Sequence, residues 1–384
     1  MPANNNPSFS PFATAMMAKA LALAELGRYT VAPNPMVGCV ITLDTEIIGR
    51  GFHQQAGTAH AEVHALAEVS AKIAAGQLSA AQCAHATAYV TLEPCSHTGR
   101  TGPCANALIA AGIRHVVIAM QDPFASVAGQ GIALLRNAGV RVQVGLLAAQ
   151  ARELNRHFLS LVERQRPFVT AKLATSLDGK IALSNGISQW ITQPPARMDV
   201  QAHRAQYGCI LTGSQTVIQD DPLLNVRLAD APNSVTATLA KNPLATFSQP
   251  LRGVIDSQGM IDDQYHIIHG ADPAAPTHVF TARNTQINAQ GKCDLHDVMY
   301  QLASRSINSV WVEAGAGLVG ALLSAKLVDE LILYQAPVLL GHAAQDAIHL
   351  ERLTSMAQRI ELAITDTRHV GRDIKHTCRV IYPA

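Results

Sequence analysis

The chain of 384 residues has few aromatic side chains, 4%, and almost no net charge: 29 Lys and Arg against 28 Asp and Glu leave +1. A neutral balance is wrong for gripping a polyphosphate backbone, and so few rings leave no base-stacking platform for a single strand. Cysteine is sparse too. Seven in so long a chain do not read as a disulfide framework, which leaves reduced thiols or metal ligands. The longest stretch without Asp, Glu, Lys or Arg is Ile73–Leu92, and Gly76, Gln77, Ser79, Gln82 and His85 interrupt it, so no transmembrane helix is expected. Met1–Pro11 holds no basic residue and the apolar stretch after it carries Lys19 and Glu25, a poor signal peptide. A cytoplasmic protein with neither membrane nor nucleic acid as partner is expected. What is present is 48% hydrophobic, over a length that suits two or three domains of roughly 100–200 residues each.

Phe12, Met16, Ala20, Leu23 and Ala24 recur at helical spacing and stop at Gly27. Val37–Thr42 and Ile47–Gly51 read as a hairpin, followed by a helix from about His60 to Ala71. Strand and helix then alternate through Ala88–Leu92, Pro103–Ala111, His115–Met120, Gly131–Asn137 and Val140–Gly145, an α/β sandwich. One helix is predicted over Ala148–Leu161, and the polar segment Glu163–Pro167 marks a domain boundary. Alternation restarts with Phe168–Ala174, a helix over Pro195–Ala205 and Cys209–Thr212. Further strands are predicted at Gly253–Asp256, His278–Thr281, Ser309–Glu313, Leu331–Tyr334 and Cys378–Tyr382. Asp230–Pro250, with Pro232, Pro243 and Pro250, lacks periodicity and reads as a surface excursion.

The sharpest chemical signal is His60-Ala61-Glu62 followed by Pro94-Cys95 and Pro103-Cys104. One imidazole and two thiolates suit zinc and leave a fourth position for water, whose pKa the metal would lower. Glu62 is then the proton carrier. Zinc-dependent base deaminases are characterised by this order of residues. Residues two apart lie roughly 200° around a helix, so His60 and Glu62 converge only if the metal sits off the helix N-terminus. His64 makes His-Ala-Glu-Val-His, not a zincin motif, and reads as a helix-face residue; Cys39, Cys83, Cys209, Cys293 and Cys378 read as structural thiols.

The run from Thr91 to Cys104, Thr-Leu-Glu-Pro-Cys-Ser-His-Thr-Gly-Arg-Thr-Gly-Pro-Cys, resembles the bifunctional riboflavin-biosynthesis deaminase-reductases. So do Pro33-Asn34-Pro35-Met36-Val37-Gly38 and Gly51-Phe52-His53. In the second half the resemblance rests on Lys172–Lys180, Ser188–Thr192, Asp220–Arg227 and Gly371–Lys375. It spans about Phe12 to Tyr382 and implies a cytidine-deaminase-like three-layer domain over 1–163, then a dihydrofolate-reductase-like α/β domain over 164–384. The first would deaminate a diaminopyrimidinone ribosyl phosphate with zinc; the second would reduce the ribosyl group to ribityl with NADPH. Asn34, His53, His97 and Arg100 are implied to hold the pyrimidine and its phosphate. An amide can read a pyrimidine edge and a guanidinium can fork onto phosphate. Read without the family, Asn34 is a turn residue and Arg100 a loop cation.

Gly315-Ala316-Gly317-Leu318-Val319-Gly320 is a literal G-x-G-x-x-G after a predicted strand, but it sits too late in its domain for a Rossmann fingerprint. The resemblance implies that Ala174, Trp190, Thr216, Asp220, Ser257 and Gly315–Ala321 line NADPH. Ser188, Arg204, Leu224, Arg227 and Glu313 would meet substrate, the arginines as phosphate clamps, and Lys172 would polarise or protonate the opened sugar. On the residues alone, Trp190 is a half-buried anchor and Asp220 and Asp221 are caps. A homo-oligomer is expected. The alternative is a cytidine or dCMP deaminase fused to an unrelated oxidoreductase, against which the long Cys95–Cys104 spacing speaks.

Overall fold

The computed structural model describes residues 9–96, 102–124, 127–270 and 274–383. The chain divides into two compact units: one runs to Arg164 and also takes in Ala237–Phe247, the other comprises Gln165–Thr236 and the chain from Ser248 on.

In the first unit Ser10 caps α1 (Pro11–Ala24), its Oγ accepting from the Ala13 amide at 3.1 Å, and Pro11 opens the helix where no N–H is needed. β1 (Gly38–Leu43) and β2 (Glu46–Phe52) form the expected hairpin. Then follow α2 (Ala61–Ala74), β3 (Ala86–Val90), α3 (Cys104–Ala110), β4 (His115–Ile118), α4 (Gln130–Asn137), β5 (Arg141–Val144), α5 (Ala148–Leu154) and α6 (Arg156–Arg164). The sheet runs β2-β1-β3-β4-β5, antiparallel through the hairpin and β3, then parallel. Strand side chains alternate between two cores. Cys39, Ile41, Val90, Val116 and Ile118 pack with Ala65, Leu108 and Leu135 of α2, α3 and α4. Val40, Tyr89 and Val117 pack with Met17, Ala151 and Phe158 of α1, α5 and α6. Three layers result.

The predicted helix over Ala148–Leu161 is in fact two helices broken at Asn155. That side chain, 2% exposed, accepts from Met36 N at 2.8 Å and donates to Met36 O at 3.0 Å. A contact across 119 residues overrides a continuous helical pattern.

The second unit contains β6 (Phe168–Ser176), β7 (Lys180–Ala182), α7 (Pro194–Arg204), β8 (Cys209–Gly213), α8 (Ser214–Asp220), and all the strands and α-helices that follow α9 (Asn233–Ala240). These are β9 (Leu251–Ile255), α10 (His266–His269), β10 (Thr277–Phe280), α11 (Leu295–Ser304), β11 (Ser309–Glu313), α12 (Ala316–Ser324), β12 (Glu330–Ala336), β13 (Gln345–Asp346), β14 (Glu361–Val370) and β15 (Asp373–Ile381). The large sheet runs β10-β9-β8-β11-β6-β12-β15-β14, parallel as far as β12 and antiparallel beyond. Val310 and Val312 of β11 face α11 and α12, whereas Trp311 between them faces α7. Asp230–Pro250 is no bare excursion: it includes α9, with Val235 fully buried and Asn242 4% exposed. Among the described residues no helix is long and apolar enough to cross a membrane.

Two glycines of β2 allow α2 to lie almost on the sheet. A Cβ on Gly51 would meet the Ala61 carbonyl at 2.1 Å and the Ala65 amide at 2.6 Å; one on Gly49 would meet the Ala65 carbonyl at 2.4 Å. All of these contacts are backbone, so nothing can swing aside. Gly51→Ala is therefore expected to destabilise the first unit by about 1–3 kcal/mol, read as a lowered Tm in thermal denaturation; an unchanged Tm would show that the close approach is not required.

Candidate active sites

The first turn of α2 places Glu62. His60 is its N-cap, in extended conformation at φ −80° and ψ 167°, and so stands off the helix end while Glu62 lies within the first turn. This resolves the 200° separation. Cys95 follows β3 beyond Pro94, and Cys104 is the first residue of α3, with Pro103 as cap instead of first-turn residue. The Cys104 amide donates to Cys95 Sγ at 3.3 Å, and His60 Nδ1 lies 3.6 Å from Cys95 Sγ and 3.3 Å from Cys104 Sγ. The three ligating atoms all fall within 4.8 Å of one another, and among the described residues no other such group of His, Cys, Asp or Glu occurs. Tetrahedral zinc with Zn–S and Zn–N bonds near 2.3 and 2.0 Å requires edges of roughly 3.5–3.8 Å. The donor set fits zinc.

Glu62 is 3% exposed, and burial raises its carboxyl to about 6, against the opposing effect of the helix amide and His60. Cys95 is pulled down to about 4, chiefly by its hydrogen bond with Cys104, whose own thiol is pushed up by the same contact. His64 stays outside the group, and the other five cysteines are buried free thiols.

Asn34 and His53 meet beside this centre: Asn34 Nδ2 lies 3.3 Å from His53 Nε2, and the His53 ring stands edge-on to His60 at 5.5 Å. His53 Nδ1 is 3.2 Å from the Ala59 carbonyl. That carbonyl can only accept, which assigns the proton to Nδ1 and leaves Nε2 to accept from Asn34. Burial lowers the His53 pKa and keeps the ring neutral. The Asn34 oxygen, left out of this pair, is available to a pyrimidine edge. His97 and Arg100 lie outside the described residues. Glu93 was not singled out from the sequence, although it stands in the Thr-Leu-Glu-Pro-Cys run. It is 5% exposed and accepts from the amides of Asp122, Gly129 and Ile132 at 3.1, 3.0 and 3.2 Å, fixing the corner that presents Cys95.

In the second unit Thr216, Ser257, Glu313 and Gly315 lie at or just beyond the carboxyl ends of parallel strands, where open α/β sheets bind ligands. Lys172 on β6 is in register with Glu313, the last residue of β11. Ala174 lies further along β6, Thr216 is in the first turn of α8, and Ser257 follows β9. Ser257 Oγ accepts from the Cys293 amide at 2.9 Å. Three buried side-chain oxygens with no partner collect at the same strand ends: Thr175 Oγ1, Thr212 Oγ1 and Asp256 Oδ1. Gly315 caps α12, and Cβ atoms on Gly315 or Gly317 would meet nothing within 4 Å. Gly320 differs, since its Cβ would strike the His349 carbonyl at 1.9 Å. Open glycines at a helix N-terminus fit the pyrophosphate of NADPH.

Some assignments change. Arg204 is not a free phosphate clamp: its Nε and Nη2 reach Glu313 Oε1 and Oε2 at 2.6 and 2.9 Å, and Nη1 donates to the Asn225 carbonyl at 3.0 Å. Glu313 likewise accepts from Trp311 Nε1 at 2.8 Å. Burial alone would raise the Glu313 carboxyl, but the charges of Arg204 and Lys172 hold it at about 2. Burial lowers the Lys172 pKa, with Glu313 opposing and Arg204 adding to the shift. Leu224 has its side chain in the hydrophobic core, 4% exposed, so it can offer substrate only its backbone. Trp190 is 69% exposed, under the Arg197 guanidinium at 4.4 Å, and not a half-buried anchor. Asp220 is exposed at the far end of α8 from Thr216, and Ser188 lies on the loop after β7. Arg227 is exposed and pairs with Asp230 at 2.5 Å.

A part-buried polar set around α7 carries no signal in the sequence. Asp199 Oδ2 accepts from Lys375 Nζ at 2.6 Å and Tyr334 OH at 2.5 Å, and His203 Nε2 lies 2.6 Å from Lys375 Nζ and stacks on Trp311. It ties α7, which carries Arg204, to β12 and β15. If the open glycines admit the cofactor, Gly317→Val leaves Tm unchanged and weakens NADPH binding about tenfold or more in a fluorescence titration. Unaltered affinity would remove the turn from the cofactor site.

Comparison with known proteins supports both halves. The family described as the cytidine and deoxycytidylate deaminase zinc-binding region matches residues 11–120, and that described as the RibD C-terminal domain matches 167–376. Riboflavin biosynthesis protein RibD of Escherichia coli is 45% identical over 93% of this chain and 96% of its own length; that of Haemophilus influenzae is 44% identical over 96% and 98%. Among solved structures, Acinetobacter baumannii RibD has a TM-score of 0.82 at 37% identity, covering 96% of this chain and 99% of that one. A Thermotoga maritima protein titled diaminohydroxyphosphoribosylaminopyrimidine deaminase/5-amino-6-(5-phosphoribosylamino)uracil reductase scores 0.81 at 30% identity, with the same coverages. Relatives that match through both units as one chain leave no place for a deaminase joined to an unrelated oxidoreductase. With the His60–Cys95–Cys104 group and the strand-end glycines in place, the chain belongs to the RibD family of riboflavin-biosynthesis proteins.

Proposed function

We propose that the first unit hydrolytically removes the 2-amino group of a diaminopyrimidinone ribosyl phosphate, and that the second reduces the ribosyl group of the product to ribityl with NADPH. The observation that carries the reading is the convergence of His60, Cys95 and Cys104 beside a buried Glu62. The division of labour falls at 163/164 of the sequence, and homo-oligomeric assembly in the cytoplasm belongs to the same proposal.

When bound by His60, Cys95 and Cys104, zinc supplies a Lewis acid that brings the ionisation of water to near neutral pH. Asn34, oriented by His53, holds the pyrimidine edge in plane. Glu62, with a carboxyl at about 6, takes one proton from the attacking water and gives it to the ring nitrogen, then takes the remaining hydroxyl proton and gives it to the amine, which leaves as ammonia. A carboxyl raised by burial is suited to both directions of transfer near neutral pH.

NADPH supplies the hydride for the second step. As the anomeric carbon gains hydrogen, its bond to the ring oxygen breaks, and that oxygen needs a proton. We assign that proton to Lys172. Arg204 neutralises Glu313, so the ammonium of Lys172 is the unpaired charge of the trio. Arg227, whose ion pair with Asp230 is exposed while that of Arg204 with Glu313 is enclosed, takes the phosphate by exchanging its partner.

Glu62→Gln should lower ammonia release by about 10²–10⁴-fold with one zinc per chain retained, while NADPH oxidation on separately supplied deaminated intermediate persists; full deaminase activity in this variant would refute the mechanism. For reduction, protonated Lys172 is the active form and it loses its proton as pH rises. The reductase rate should therefore fall with rising pH at a value below the ordinary lysine pKa of about 10.4. Lys172→Arg should abolish that basic limb. A limb unchanged in the arginine variant would assign the proton to another donor.

A further inference from the structure

We propose that Asn242 is a positioning residue for the pyrimidine pocket of the deaminase, a role that rests on the reading of Asn34 and His53 as the groups that hold the ring. Asn242 lies in Ala237–Phe247, which folds with the first unit although its neighbours in sequence belong to the second. It is 4% exposed, and its whole amide is committed. Nδ2 donates to Thr30 Oγ1 at 3.1 Å and to the Gln54 carbonyl at 2.5 Å, and Oδ1 accepts from the Leu244 amide at 3.1 Å. The backbone on either side is fixed as well, through Asn242 N to Leu239 O and Ala245 N to Asn242 O.

The two partners stand at the bases of the two loops that form the pocket. Thr30 precedes Asn34 by four residues, and Gln54 immediately follows His53. Thr30 Oγ1 also reaches the Gln54 carbonyl at 2.6 Å, and the Ala56 amide donates to Thr30 O at 3.2 Å. Asn242 therefore clamps the junction whose far side is the Asn34–His53 contact. An Asn34 oxygen aimed at a pyrimidine must hold its direction to within a few tenths of an ångström; Asn155 holds Met36 on one side of Asn34, and on the other the two loops meet at Thr30 and Gln54. The added segment gives them a third, buried point of support. Aspartate at 242 keeps the shape, removes both donated hydrogens and sets a carboxylate oxygen against the Gln54 carbonyl.

The test uses the full-length zinc enzyme. Asn242→Asp is expected to raise KM for the diaminopyrimidinone substrate about tenfold, with kcat little changed, zinc still at one per chain and NADPH oxidation on supplied deaminated intermediate unaltered. Thr30→Val, which removes the shared hydroxyl, should raise KM similarly, and the double variant should be less than additive. If Asn242→Asp does not accumulate as folded protein, Thr30→Val carries the same KM measurement. Unchanged KM in these variants, with KM raised in Asn34→Ala, overturns the positioning role and leaves the pocket standing. Unchanged KM in Asn34→Ala as well overturns both. A loss of zinc or kcat without a change in KM makes Asn242 merely structural and overturns the proposal.

Discussion

The deaminase site depends on the close approach of a helix to a strand that has no side chains at the contact. Because Gly49 and Gly51 leave room for the carbonyls of Ala61 and Ala65, the first turn of α2 lies against β2. That placement buries Glu62, and burial dominates its pKa over the favourable helix amide and His60. It also leaves His60 outside the helix as an extended cap, where its imidazole can face two thiols on other elements. A similar approach serves the second ligand: the Gly131 position lies against the Pro94 carbonyl, so α4 packs onto the corner before Cys95 while Glu93 gathers three amides there. Catalytic geometry here is a consequence of backbone-to-backbone packing, which side-chain motion cannot relax.

The second unit solves a different electrostatic problem. Three ionisable groups meet where Lys172, midway along β6, lies in register with Glu313 at the end of β11 and Arg204 of α7 reaches that carboxylate, two cationic and one anionic. The forked pairing of Arg204 with Glu313 is the stronger geometry, because a planar guanidinium matches a carboxylate at two points. Lys172 is left beside a neutralised pair in a poorly solvated setting, which favours release of its proton. The Asp199–Lys375–Tyr334 set repeats the pattern between α7, β12 and β15, with every member paired, and so holds α7 and Arg204 in place without adding a reactive group.

Much of this was legible in the sequence because the signals are local. His60, Cys95 and Cys104 stand at the ends of elements whose hydrophobic periods are clear, and Ser309–Glu313 is predicted to the residue. What escaped depends on contacts distant in sequence or on surfaces without contrast. Asn155 splits a helix through a bond to Met36, and Arg204 finds Glu313 across 109 residues. β14 is exposed along almost its whole length, so no alternation betrays it. α9 is only two turns long with one buried residue, too little for a periodic signal, and Asn242 just beyond it reads as an ordinary turn amide until the fold brings Thr30 and Gln54 to it.

The glycine motif after β11 shows why a literal match understates its own content. Its three glycines answer to two physical demands. Gly320 is required by the protein, because the His349 carbonyl occupies the place of any side chain. Gly315 and Gly317 are not: neither has a left-handed backbone, and each faces open space. Gly315 is at the N-cap, where glycine is tolerated, but Gly317 lies within the helix, where such a glycine lowers stability for no internal return. The proposed NADPH site would fill that open space from outside the chain. By the same criterion Gly49 and Gly51 belong to the scaffold, although they stand beside the deaminase centre. The two sites of this chain are thus built on opposite uses of one residue, closing the gap between helix and strand in the first and leaving one in the second.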